Sequence, residues 1–322
     1  MKTVLSIQSH VVHGYVGGRA AIFPLQSQGW EVDNINTVNF SNHTGYGSFS
    51  GTSLAPEELD SILTQLETKL NVQYRALVTG YIPNADLIRT LSLHLPRLKR
   101  NGGLYLLDPV LGDNNYMYVD KSCIKEYQNI LSLENLVDII TPNQFELELL
   151  TGLRITCKSS LIQAIDKLHQ QYNIPYIVIT SVNGDIFSSS NDDIYCVVSN
   201  KDQGCKVFKV PMIKSYFTGV GDLFSALLLD RLEKNNMDLS SSVNQVLTIV
   251  NLTLKLTHKS ALLARKAAIT SSKSSGDNAE LIGKINDADT MKYLELRIIQ
   301  AREYYGYDGP GEFVEMDLDL LT

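Results

Sequence analysis

Phe217-Thr218-Gly219-Val220-Gly221-Asp222 runs without a break into Leu223-Phe224-Ser225-Ala226-Leu227-Leu228-Leu229. The two glycines predict a turn that lets backbone amides approach a ligand closely, and the apolar run predicts a buried helix. A helix begins with unpaired N–H groups and the positive end of its dipole, so this junction is a natural anion site. Asp222 stands at its mouth. A carboxylate there can simply cap the helix. Paired with an amide cradle, it can instead take a proton from an attacking hydroxyl while the cradle holds charge on a migrating phosphoryl group. The flanking sequence places this junction in a layered α/β protein.

Working outward, strand-like runs alternate with helix-length amphipathic segments. Thr3–Ile7 precedes a helix near Gly18–Gln28, and Glu31–Val38 precedes one that starts at Pro56-Glu57-Glu58 and reaches Leu70. Ala76–Thr79, Leu104–Leu107, Val137–Ile140 and Ile177–Thr180 are further β-type runs, each followed by helix-forming sequence. The alternation predicts a mostly parallel sheet wrapped by helices through right-handed crossovers. Ile194–Ser199 and Cys205–Pro211, around Asn200–Gly204, predict an antiparallel hairpin at the edge. Ser, Lys and Gly cluster in Ala267–Gly276, which reads as an exposed loop, and the stretch beyond Tyr304 reads as irregular. The expected organisation is one domain over residues 1–303, with an exposed insertion at about 267–286, and a tail over 304–322.

At 322 residues and 44% hydrophobic content, one large α/β domain can bury a generous core. The formal charge of -7 and pI near 5.4 leave no basic stripe for nucleic acid. Cys123, Cys157, Cys196 and Cys205 form no C-x-x-C pair, so reduced thiols in a cytoplasmic protein are expected. Met1–Ile7 reads as a strand and not as a signal peptide, and no apolar run reaches the roughly 18 residues of a membrane span.

In such folds ligands gather beyond the carboxyl ends of the strands. There the sequence places Gln8–Gly18, Phe40–Tyr46, Asp108–Asp113, Thr141–Glu146 and Thr180-Ser181, all rich in polar residues or glycine. Asp108, Asp113 and Glu146 are hard oxygen donors suited to Mg²⁺ and, through it, to polyphosphate, although Asp108-Pro109 also suits a plain turn. Asn143 and Glu146, three apart at a helix start, can face one point, with Thr141 or Asn143 as a simple cap the alternative. His10 and His13 have no acidic or cysteine neighbour in sequence and read as surface or substrate-facing. No G-x-x-x-x-G-K-[ST] occurs, and Gly14-Tyr15-Val16-Gly17-Gly18 does not spell G-x-G-x-x-G. Phosphates must then be held at another helix N-terminus, and Thr218–Asp222 supplies one.

At this point the motifs QSHVVHGYVGG, NTVNFSNHTGYG, LDPVLGD, ITPNQFELELLTG and FTGVGDLFSALLL can be taken together. Over Val4 to about Leu263 the chain resembles the pyridoxal kinases of the ribokinase-like superfamily. The first two motifs are close to private to that family. The resemblance implies a ribokinase-like three-layer αβα sandwich and ATP-dependent phosphorylation of the 5′-hydroxymethyl group of pyridoxal, pyridoxine or pyridoxamine. It makes Asp222 the catalytic base and Gly219, Val220 and Gly221 the anion hole. Ser9 and Thr44 would hold the polar edge of the pyridine, with Val16, Phe40, His43 and Tyr81 lining the ring pocket. Asp108, Asp113 and Glu146 would serve Mg–ATP directly or through water. Asn143, Thr180, Ser181 and Thr218 would lie on the nucleotide side, and Thr141 and Thr180, with Asp108, would hold a monovalent cation such as K⁺. A homodimer is implied, in the cytoplasm and also the nucleus. This chain has Gly18 where the family usually has Asn, and Val220 where it commonly has Thr. Two other functions compete: a hydroxymethylpyrimidine-type kinase, which shares the Gly-x-Gly-Asp device, and a B6-binding protein with little turnover.

Overall fold

The computed structural model describes residues 2–99, 102–187, 193–272 and 283–318. In chain order its first half comprises β1 (Lys2–Val11), α1 (Gly18–Ser27), β2 (Trp30–Phe40), β3 (Gly51–Ser53), α2 (Pro56–Thr64), β4 (Ala76–Thr79), α3 (Ala85–Leu98), β5 (Leu104–Leu107) and the small hairpin β6 (Gly112–Asp113) and β7 (Tyr116–Met117). Then come α4 (Ser122–Leu131), β8 (Ile139–Ile140), α5 (Gln144–Thr151), α6 (Lys158–Gln171), β9 (Tyr176–Asn183), β10 (Asp193–Asn200), β11 (Gly204–Pro211), α7 (Val220–Lys234), α8 (Leu239–Ser272), α9 (Ala288–Met291) and β12 (Glu315–Asp317).

Ten strands form one sheet in the order β12-β11-β10-β9-β8-β5-β4-β1-β2-β3. From β9 to β2 every neighbour is parallel, as crossover helices require. Side chains alternate between the two faces. Leu5, Ile7, Leu77, Tyr105 and Leu107 pack into one core with α2 to α6. Val4, Val78, Leu106 and Ile139 pack into the other, against α1, α7 and α8. The result is the expected α/β architecture with helices on both sides.

The antiparallel part is larger than one hairpin. β10 pairs β9 and β11 as expected, but β3 also runs antiparallel to β2 at the opposite edge, and β12 pairs β11. The tail thus supplies the outermost strand, and Tyr305 is fully buried among α1, α7 and α8 residues. Buried Arg231 holds that segment by donating to the carbonyls of Tyr305 and Tyr307. Ala267–Ser272, expected in a loop, continues helix α8, since alanine favours helix and the run contains no breaker before Gly276. The rest of the expected insertion lies partly outside the described residues, which resume at Gly283. β1 is longer than Thr3–Ile7 and carries Gln8, Ser9 and His10 within the strand itself.

Candidate active site

Beyond the carboxyl ends of the parallel strands lies a cavity of about 440 Å³. Its walls include Ser9, Val16, Phe40, His43, Thr44 and Tyr81 from the β1, β2 and β4 ends. Asp108 and Asp113 follow β5, Thr141, Asn143 and Glu146 follow β8, and Thr180 and Ser181 lie on β9. Thr218, Gly219, Val220, Gly221 and Asp222 close it at the start of α7. The cavity thus gathers every residue assigned above to catalysis, acceptor, nucleotide or metal, whereas His10 and His13 are not among its lining residues. A second cavity of about 430 Å³ shares Asp113, Ser181, Tyr216, Phe217 and Val220 with the first and extends past Arg154 and Asn251.

Helix α7 starts as its glycines dictate. Gly219 is its N-cap with φ +78, and a methyl group there would sit 2.0 Å from the Tyr15 carbonyl oxygen. Only glycine lets the turn pack that closely against the Tyr15–Val16 backbone. Asp222, in the first turn, does not cap its own helix. Its Oδ2 accepts a 2.7 Å hydrogen bond from the Gly17 N–H, itself a glycine at φ +54 packed on Ser9. Asp222 is half-buried at the cavity wall, and burial raises its pKa above the ordinary carboxylate value, the Gly17 N–H offsetting part of the rise.

Asp108 and Glu146 form the acidic floor. Asp108 is buried, accepts from Ser225 Oγ at 3.3 Å, and is pushed well up in pKa by burial and by the charges of Glu146 and Asp222. Glu146 closes a capping box with Asn143 and also accepts from the Leu111 and Gly112 N–H groups at 3.0 and 3.4 Å. Burial nevertheless lifts it to about 8, against the lowering effect of those three backbone donors. Asp113 is also raised by burial, while bonds from the Asn114 backbone and side chain hold it in the β6–β7 turn. Thr141 Oγ1 lies 3.1 Å from Ser225 Oγ, and the Thr180 N–H donates to the Pro142 carbonyl. Among the described residues no Lys or Arg lines the first cavity.

Three kinds of contributor escape the sequence reading. Tyr116, Tyr118 and Tyr216 line the cavity, the last two joined through their hydroxyls at 3.1 Å. Leu247, Val250 and Leu254 reach it from α8, at a helical spacing that reads as ordinary core. Glu295, only 4% exposed, meets the cavity-lining His43 at 3.1 Å and accepts from Tyr46 at 2.8 Å and from the Tyr15 N–H at 2.9 Å, both just behind the wall. Nothing local in Leu294-Glu295-Leu296 marks it for that place.

A family model described as phosphomethylpyrimidine kinase matches residues 35–266. The chain is 43% identical over 316 residues to the Saccharomyces cerevisiae protein named "Putative pyridoxal kinase BUD16", 95% of each chain being covered. It is 35% identical over 312 residues to the pyridoxal kinase of Dictyostelium discoideum, covering 94% of both. In structure it is similar to the pyridoxal kinase of Leishmania donovani in complex with ADP and pyridoxine, with a TM-score of 0.77, 28% identity and 95% of each chain covered.

Proposed function

We propose, for a chain that belongs to the pyridoxal kinase family, that this cleft transfers the terminal phosphoryl group of ATP to the 5′-hydroxymethyl oxygen of pyridoxal, pyridoxine or pyridoxamine. The observation that carries the reading is Asp222: a carboxylate anchored through one oxygen by Gly17, at the helix start whose amides face the same cavity. With Oδ2 held, Oδ1 is left to accept the proton of the acceptor hydroxyl as its oxygen bonds to phosphorus and the bond to the ADP oxygen breaks. Its raised pKa brings it closer to the operating range of a base at neutral pH. The unpaired N–H groups at the start of α7, residues 219–221, receive the charge on the transferring oxygens. Ser9 and Thr44 supply hydroxyls for the polar edge of the pyridine, and Val16, Phe40 and Tyr81, with Val11 and Val38, form an apolar wall for its ring.

A polyphosphate entering a cavity lined by carboxylates and, among the described residues, by no Lys or Arg needs a cation. Among the described residues no three His, Cys, Asp or Glu side chains are arranged to hold a metal by themselves. Glu146 spends its oxygens on backbone N–H groups. Asp108 and Asp113 therefore suit a Mg²⁺ that brings phosphate and water oxygens with it, Glu146 acting through water, and such an ion supplies charge neutralisation at the phosphates. Asn143, Thr180, Ser181 and Thr218 complete the nucleotide side, while Thr141, Thr180 and Asp108 make the K⁺ site of this reading. The same reading carries a homodimer in the cytoplasm, and also in the nucleus. No disulfide joins the four cysteines, and no helix among the described residues is long and apolar enough to cross a membrane.

The test is purified protein with Mg–ATP and, in turn, each B6 vitamer and hydroxymethylpyrimidine. ADP release with a phosphorylated vitamer is the expected result, falling when K⁺ is replaced by a large organic cation. Turnover of the pyrimidine alone would favour the second reading, which the matching family model supports. Vitamer binding without turnover would favour a carrier.

A further inference from the structure

Glu295 sits in the segment after α9, outside the stretch that the family model matches, and no motif named above includes it. Its carboxylate nonetheless joins His43, which lines the cavity, to Tyr15 and Tyr46, the chain neighbours of the lining residues Val16 and Gly45. Oε2 accepts from the backbone N–H of Tyr15, in the loop that leads to Val16 and to Gly17, the residue that anchors Asp222. Oε1 accepts from the hydroxyl of Tyr46, at the end of the short Thr44–Tyr46 turn that carries Thr44. The same Oε1 meets His43 Nε2, which lies a further 3.1 Å from Thr218 Oγ1, next to the Gly219 cap of α7. Gly14 makes room for the carboxylate: at φ +98, a methyl group there would fall 2.5 Å from Glu295 Oε2. Burial opposes ionisation of Glu295, but His43, Tyr46 and the Tyr15 N–H outweigh it and hold its pKa below the ordinary value. An ionised carboxylate only accepts, so His43 Nε2 must carry a proton and donate.

We propose that Glu295 is a positioning residue for phosphoryl transfer, fixing the Gly14–Gly17 loop, the His43–Tyr46 turn and the Thr218–Gly219 turn in one frame around the acceptor alcohol. It rests on the kinase reading above. A frame of this kind matters because reacting groups displaced by about 1 Å lose up to roughly 100-fold in rate.

The test is Glu295→Gln in the full chain, which keeps size and removes charge. Expected are a 10–100-fold fall in kcat/KM for pyridoxal, on the order of that misplacement cost, with the KM for ATP near wild type and a lowered melting temperature, the variant still folded at the assay temperature. Tyr46→Phe, which deletes one bond of the hub, should show the same vitamer-selective loss at smaller size. In the double variant the losses should be less than multiplicative. Nitrogen NMR of the His43 imidazole gives a readout free of turnover: Nε2 protonated in the wild type, and that preference lost in Glu295→Gln. Wild-type kcat/KM for pyridoxal in Glu295→Gln, a KM for ATP raised as much as the KM for pyridoxal, or an Nδ1–H tautomer in the wild type would overturn the proposal. Wild-type protein inactive on every vitamer, with the NMR pattern as expected, would instead fault the kinase reading.

Discussion

Asp222 is held by a bond that a cap reading of its sequence does not contain. A capping aspartate turns back to its own helix, whereas Asp222 reaches across 205 residues to the Gly17 N–H. That bond orients the carboxylate and leaves one oxygen for chemistry. Asp222→Asn should lower turnover by roughly 10²–10⁴-fold, the usual worth of a general base, while the vitamer KM stays within a few-fold because the amide is nearly isosteric. Steady-state kinetics with pyridoxal checks it, and a variant keeping most of its turnover removes Asp222 from the proton transfer. At this scale legibility followed chain distance. Ser9, Thr44, Asp108 and Asp222 sit in glycine- and polar-rich stretches whose spacing is visible in sequence. Glu295 was not legible, because its partners Tyr15 and His43 lie 280 and 252 residues away and a lone Glu between leucines reads as surface.

Elements were legible where burial repeats. β4 and β5 occupy the residues expected of them, since three or four consecutive buried residues bounded by polar turns have few alternatives. β3, β6, β7 and β12 were not, being two or three residues long and held in place by a neighbour rather than by their own pattern. Helix α7 was the most legible element, and its start is also the most demanding. Gly219→Ala would put a methyl group 2.0 Å from the Tyr15 carbonyl oxygen at a positive φ. The strained backbone alone costs about 1–3 kcal/mol, and relief of the clash must push α7 away from the Tyr15–Val16 loop. Expected are a lower denaturant midpoint and a kcat reduced at least about 10-fold, by analogy with loss of an oxyanion donor. Unchanged midpoint and kcat would mean that the close approach is not needed. Val220 in the same turn offers its backbone N–H whatever its side chain, so its departure from the family's usual Thr leaves the proposed amide cradle intact.

Across the whole molecule, the cavity concentrates negative charge that folding alone does not reward. Asp108, Glu146 and Asp222 all have pKa values raised first of all by burial. For Glu146 the window runs from the ordinary 4.5 to about 8. Inside it the folded chain keeps a proton that the unfolded chain has released, so raising the pH draws the equilibrium toward unfolding. Glu295 works in the opposite sense: its lowered pKa adds stability above the ordinary carboxylate value, and that stability is lost only as the solution turns more acidic. The ligand-free protein should therefore melt at a lower temperature at pH 8 than near pH 6, a range that lies inside the Glu146 window. Asp108→Asn removes an acid whose pKa burial and the charges of Glu146 and Asp222 push well up, and with it the cost of protonating that group on folding. It should melt above wild type at pH 8, by on the order of 1.5 °C for each kcal/mol relieved in a chain of 322 residues, with a shallower pH slope and with phosphorylation impaired. Thermal melts of both proteins across this range decide it. A wild-type melting temperature independent of pH, or an Asp108→Asn slope equal to wild type, would show that the carboxylates do not hold their protons in the empty cleft.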